Sequence, residues 1–115
     1  MSRAAGAQAE RRAEELLTRL GFQVLERNYT CKGGELDLVC DDDGTLVFVE
    51  VRARRSGDFG APEETISATK RRRLIHAARH YLMVRTHEER ACRFDVVAIE
   101  GDDVRHLRDA FRTTA

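Results

Sequence analysis

The segment Gly33–Arg52, GGELDLVCDDDGTLVFVEVR, places an Asp43-Gly44 dipeptide between two apolar runs, and no other stretch limits the possible folds as strongly. Asp-Gly flanked by alternating apolar residues is the strongest short-range signal for a two-residue β-hairpin turn. Asp42 then pairs with Thr45, and paired residues have numbers adding to 87, which sets Asp37 opposite Glu50 and Glu35 opposite Arg52. Directly opposite residues share a sheet face, with β-carbons about 4.5–5.5 Å apart. Asp41, Asp42 and Asp43 also suit a loop of about three to five residues, and a one-residue slip would send the two acids to opposite faces.

Like charges directly opposite one another are destabilising. A fold that sets two carboxylates together on a mostly apolar strand pair calls for a cation between them, and a divalent metal ion is the simplest. The second strand, LVFVEV, is apolar on both faces up to Glu50. That pattern describes a central strand covered on both sides, where an isolated carboxylate is costly.

The chain has 115 residues, near the usual size of one domain, and is read as a single domain over 1–115, with 1–4 and 112–115 as flexible ends. Its formal net charge is zero, so the overall balance names neither an acidic nor a basic partner. The charge is nevertheless polarised: residues 52–93 hold 11 basic and 5 acidic side chains, and the remainder carries the opposite excess. Such a surface suits steering an anion toward a carboxylate-lined site. Cys31, Cys40 and Cys92 lack C-x-x-C spacing, which argues against a disulfide framework or zinc site and for reduced thiols. MSRAAGAQAE lacks the apolar core of a signal peptide, and no stretch reaches transmembrane length; a cytoplasmic location is expected.

Residues 5–20 read as a helix, with Ala13, Leu16, Leu17 and Leu20 on one stripe and Gly21 as the stop. Glu10 lies at the edge of that stripe. FQVLERN reads as a short strand, followed by the hairpin. The segment 53–65 has loop composition, and Ser67 is the expected N-cap of a helix reaching Val84, with Leu74, Ile75, Ala78, Tyr81 and Leu82 as its apolar face. Lys70, one turn before Leu74, is positioned to point toward the sheet. CRFDVVAIE is a fourth strand, and VRHLRDAF a short strand or tail. The expected architecture is α/β, in the order α-β-β-β-α-β, with a mixed sheet flanked by helices.

A carboxylate pair beside basic groups suits a hard, oxygen-binding cation. Magnesium takes one or two protein carboxylates, keeps several waters and gains ligands from substrate phosphates. Asp37 and Glu50 are the expected ligands, the Val51 carbonyl is able to assist, and phosphodiester hydrolysis is the chemistry such a site supports.

Gly33-Gly34-Glu35-Leu36-Asp37-Leu38, followed by Phe48-Val49-Glu50-Val51-Arg52, resembles the YraN family of bacterial proteins. Gly21, Arg27-Asn28, Lys70 with Arg73-Leu74, and Cys92-Arg93-Phe94-Asp95-Val96-Val97 extend the match over nearly the whole chain. The resemblance implies a restriction-endonuclease-like core of the PD-(D/E)xK type, similar to archaeal Holliday-junction resolvases. It puts Asp37 and Glu50 in the places of the metal-binding acids, Glu10 in that of a first-helix acid completing the site, and Arg52 in that of the signature lysine. A guanidinium stays protonated and only donates hydrogen bonds, so Arg52 suits holding phosphate better than activating water. Glu35 is read as its cross-strand partner, in a supporting role.

The function implied is a magnesium- or manganese-dependent deoxyribonuclease acting on structured or single-stranded DNA, with a homodimer suited to a symmetric substrate. Arg54, Arg55, Lys70, Arg71 and Arg73 are the candidate phosphate contacts; a cationic run at the start of a helix opposes the helix dipole and favours an anionic partner. Two other readings stay open: a nucleic-acid-binding module without turnover, and a protein-interaction domain. His76, His80, His87 and His106 read as surface residues, Tyr81 and Phe94 as core, and the loop 53–65 as the seat of substrate choice.

Overall fold

A computed structural model describes residues 3–54, 66–86 and 89–112, without the side chains of residues 3–5 and 54. The elements are α1 (Arg3–Arg19), β1 (Gln23–Cys31), β2 (Gly34–Asp42), β3 (Thr45–Arg54), α2 (Ala68–Arg85), β4 (Cys92–Glu100) and β5 (Asp103–Phe111). The five strands form one sheet in the order β1-β2-β3-β4-β5. Only β3 and β4 run parallel, joined through α2, and the other neighbours are antiparallel. The mixed α/β architecture expected from the sequence is the one observed. No described helix is long and apolar enough to cross a membrane.

The Asp43-Gly44 turn forms with both residues at positive φ, 50° and 97°, as a two-residue turn of this chemistry requires. Its register is the one counted from the dipeptide, from Asp42↔Thr45 to Leu38↔Val49. Asp41 takes up the turn by accepting the Gly44 N–H at 2.9 Å.

Each face of the sheet buries its own cluster. Ala9, Ala13 and Leu17 of α1 pack on Leu38, Cys40, Val47, Val49 and Val97, while Leu74, Ala77, Ala78 and Tyr81 of α2 pack on Leu36, Val39, Phe48 and Phe94. β3 alternates cleanly between the two, as a central strand covered on both sides must. On α1 the buried stripe is shifted from the expected one: Leu20 is 54 % exposed, because the chain reverses at Gly21 (φ +95°) and Phe22 takes the closing apolar position. Phe22 donates its N–H to the Leu17 carbonyl at 3.0 Å, which fixes that reversal.

α2 starts where Ser67 was expected to cap it, with the Ser67 hydroxyl accepting the Lys70 N–H at 3.0 Å. The helix approaches β2 so closely that a β-carbon on Gly34 would lie 2.5 Å from the Arg73 carbonyl oxygen. The C-terminal segment is a strand rather than a tail. It is pinned by Asp95, which is buried and accepts the Asp109 N–H at 3.0 Å and His106 Nε2 at 2.7 Å.

Candidate metal centre

The alternation of β2 fails at one residue. Residues two apart in a strand share a face, yet Leu36 belongs to the α2 side and Leu38 to the α1 side. The partner strand changes phase at the same level. Arg27 meets Glu14 of α1, whereas Tyr29 is buried among α2 residues, and Asn28 between them has φ +51°. The β1–β2 register runs Arg27↔Leu38 and Tyr29↔Leu36, so the two residues at the phase change, Asn28 and Asp37, face one another. Asn is among the few residues that enter the left-handed region readily.

This irregularity builds the site. The β2–β3 pairing stops at Leu38↔Val49, and the Val51 N–H is given to Asp37 Oδ2 at 2.8 Å. Glu50, on the α2 side of β3 and only 6 % exposed, lies beside Asp37. Burial pushes the Asp37 carboxyl well above the usual carboxylate range; contact with Glu50 adds to the rise, and the Val51 N–H and Lys70 only partly offset it. The facing acids counted from the turn are therefore in contact.

Lys70 closes the site from the first turn of α2, with its Nζ 3.2 Å from Glu50 Oε2. The ammonium is close enough for charge attraction, but Glu50 Oε2 is buried and receives no aligned hydrogen bond from the described residues. On the α1 side, Glu10 is raised by burial and by Asp37, and next by Glu35, against the hydrogen bond from Asn28. With its amide nitrogen turned inward, Asn28 donates to both Glu10 oxygens, at 3.2 and 3.1 Å.

Several sequence expectations land elsewhere. Because the β2–β3 ladder ends three residues before Glu35, it does not set that exposed residue opposite Arg52; Glu35 is paired in register with Thr30 of β1. Arg52 is half-buried on β3, level with Ala98 of β4. Lys70 does point toward the sheet, as expected, and is held there by Glu50, while Arg71 stands over the Phe111 ring at 5.6 Å and Arg73 is exposed. Arg55, the Arg54 side chain and the loop expected to set substrate choice lie outside the described residues. Two of the histidines are not surface groups: His106 is bound to buried Asp95, and His80 is hydrogen-bonded to Tyr29.

Asn28 entered the sequence reading only as part of the Arg27-Asn28 match, with no role, because its role depends on facing Asp37 and on reaching α1. Its local signal was a left-handed-tolerant residue in a strand-like run.

The model of the uncharacterised protein family UPF0102 matches residues 9–99. The chain belongs to that family. UPF0102 is the YraN family to which the sequence motifs pointed. A UPF0102 protein of Burkholderia thailandensis is 54 % identical over 96 % of this chain and 76 % of its own length. One from Cupriavidus taiwanensis is 51 % identical over 97 % of this chain and 86 % of its own, and one from Dechloromonas aromatica 47 % identical over 94 % and 88 %. The UPF0102 match spans every residue of the acid site, from Glu10 to Lys70.

Proposed function

We propose that this UPF0102 chain is a metal-dependent nuclease with a restriction-endonuclease-like core, similar to Holliday-junction resolvases, acting on structured or single-stranded DNA. The observation that carries this reading is the buried Asp37–Glu50 contact with Lys70 Nζ 3.2 Å from Glu50. Two carboxyl groups pressed together out of water are an unstable arrangement unless a proton or a cation lies between them.

The donor set fits magnesium or manganese. Among the described residues no group of three or more His, Cys, Asp or Glu side chains converges on one point. Two carboxylates and a strand carbonyl are what a magnesium ion that retains several waters needs. Asp37, Glu50 and the Val51 carbonyl would hold it, with Glu10 at the margin, and among the described residues Glu50 Oε2 has only the Lys70 ion pair and no aligned hydrogen bond to surrender. When bound, such an ion supplies charge neutralisation at a phosphodiester and a more acidic water.

The chain's own groups supply the rest. Lys70 brings a compact ammonium with three donors to the acids from α2, whereas the Arg52 guanidinium is a planar fork suited to phosphate oxygens. Arg52 is thus suited to binding a phosphate oxygen while Lys70 donates a hydrogen bond that orients the attacking water. The missing signature lysine on β3 is replaced from a different element.

The test is a manganese titration by calorimetry, alongside cleavage of labelled single-stranded and four-way-junction DNA. Wild type should bind manganese and cleave, the Asp37→Ala, Glu50→Ala double variant should do neither, and Lys70→Met should keep metal affinity but lose cleavage by about 100-fold or more. Absence of manganese binding by wild type, with DNA present, would defeat the proposal.

A further inference from the structure

α2 lies over β1 and β2 and leaves the other half of that sheet face less covered. The result is a groove of about 700 Å³ between α2 and the start of β4 and end of β5. Its floor includes Phe94 and Phe111, and its α2 wall is a single stripe in which Ile75, Arg79 and Leu82 stand side by side. Arg71 extends the stripe one turn before Ile75, over Phe111.

The arginines around this groove are not equivalent. Arg93 is committed to Asp95 at 2.9 Å and Asp42 at 2.8 Å, Arg108 lies 3.5 Å from Asp42, and Arg112 lies 2.5 Å from Asp109. Arg71 and Arg79 form no ion pair among the described residues. Two guanidiniums without an ion pair among the described residues therefore flank apolar ground. They are eight residues apart on one helix, about 12 Å along its axis.

We propose that this groove docks an acidic peptide segment of another protein, with two carboxylates flanking an apolar anchor. An extended chain advances about 3.3 Å per residue, so carboxylates four residues apart match Arg71 and Arg79, and a side chain midway faces Ile75. A nucleic-acid strand fits less well. It needs free ring faces for its bases and an unbroken cationic track for its backbone. Here Phe94 and Phe111 are stacked on one another at 4.7 Å, Arg71 covers the Phe111 ring, and Asp109 interrupts the rim. The volume is within the ordinary range for binding clefts, about 300–1,000 Å³.

Fluorescence anisotropy with the full chain decides the matter, using a labelled peptide with glutamates four residues apart and a phenylalanine midway. Wild type should bind it, replacing the phenylalanine with serine should weaken binding about tenfold or more, and so should Arg79→Glu. Arg79 is exposed, so that variant is expected to fold, and Leu82→Ser tests the apolar wall separately. Asp37→Asn should leave peptide affinity unchanged, which separates this proposal from the nuclease reading. Equal binding of the serine peptide, or no effect of Arg79→Glu, overturns the proposal. So does binding of an oligothymidylate that is lost in Arg79→Glu while the peptide fails to bind.

Discussion

Asp37 accepts the Val51 N–H and lies beside the buried Glu50 carboxyl, so its burial requires a proton or a cation in the gap. Its carboxyl is raised above the ordinary value, so the folded state holds a proton that the unfolded chain has already lost, and stability from that proton declines as pH rises from the ordinary carboxylate value through the raised one. Asp37→Asn keeps an acceptor for Val51 and removes the repulsion. At neutral and alkaline pH it should unfold at higher urea than wild type, on the order of 1 kcal/mol, while manganese binding disappears from calorimetry. A variant less stable than wild type at all pH values would make the carboxylate a structural group. Asn28 separates backbone from side chain. At φ +51°, Asn28→Ala should cost about 1–2 kcal/mol in urea unfolding, whereas Asn28→Gly should cost little and yet lose its hold on Glu10. The facing acids were legible in the sequence because Asp43-Gly44 fixes a register by local turn chemistry. The grip of Asn28 on Glu10 was not, since it joins residues from two elements that no local rule brings together.

The hairpin and the two helices form where residue chemistry acts over a few positions: the Asp-Gly turn, the Ser67 cap and the Gly21 stop. Their mutual placement depends on contacts that a linear reading does not see. Gly34 is the clearest case, because α2 packs on β2 through a position with no room for a side chain. Gly34→Ala should lower stability by about 1–3 kcal/mol, the usual cost of overpacking, as read from chemical denaturation. Since Lys70 reaches Glu50 from the same helix, that displacement should also reduce DNA cleavage; unchanged stability and cleavage would mean that α2 shifts freely. The register that placed Glu35 opposite Arg52 is not continued by the β2–β3 ladder, which ends at Leu38 and Val49. Counting from the turn is sound only while the ladder is regular, and the phase change at Asn28 and Asp37 ends it. β5 was ambiguous for a related reason, since its anchor is a residue of β4.

Asp95 joins the distant parts of the molecule. It accepts from Arg93 at 2.9 Å, His106 at 2.7 Å and the Asp109 N–H at 3.0 Å, while Arg93 reaches Asp42 and lies over the Phe22 ring. Burial alone would raise its carboxyl, but His106, Arg93 and the Asp109 N–H hold it below the usual range. A depressed folded value means that this stabilisation is present above the ordinary carboxylate pKa and is lost as pH falls through the folded one. Wild type should therefore lose stability in acid below about pH 4. Asp95→Asn should be about 3–5 kcal/mol less stable at neutral pH, with a flatter acid limb in thermal or urea unfolding, because Arg93 and His106 lose their buried partner. The sequence by itself determined the element order, the turn register, the helix cap and the two acids, all products of propensity and spacing over a few residues. The tertiary structure alone decided that Lys70 reaches Glu50 from α2, that Asn28 takes its left-handed turn opposite Asp37, and that Asp95 ties down the last strand. Those outcomes depend on which side chains meet after the sheet is covered on both faces, and burial then sets what each charge costs and which partner it must find.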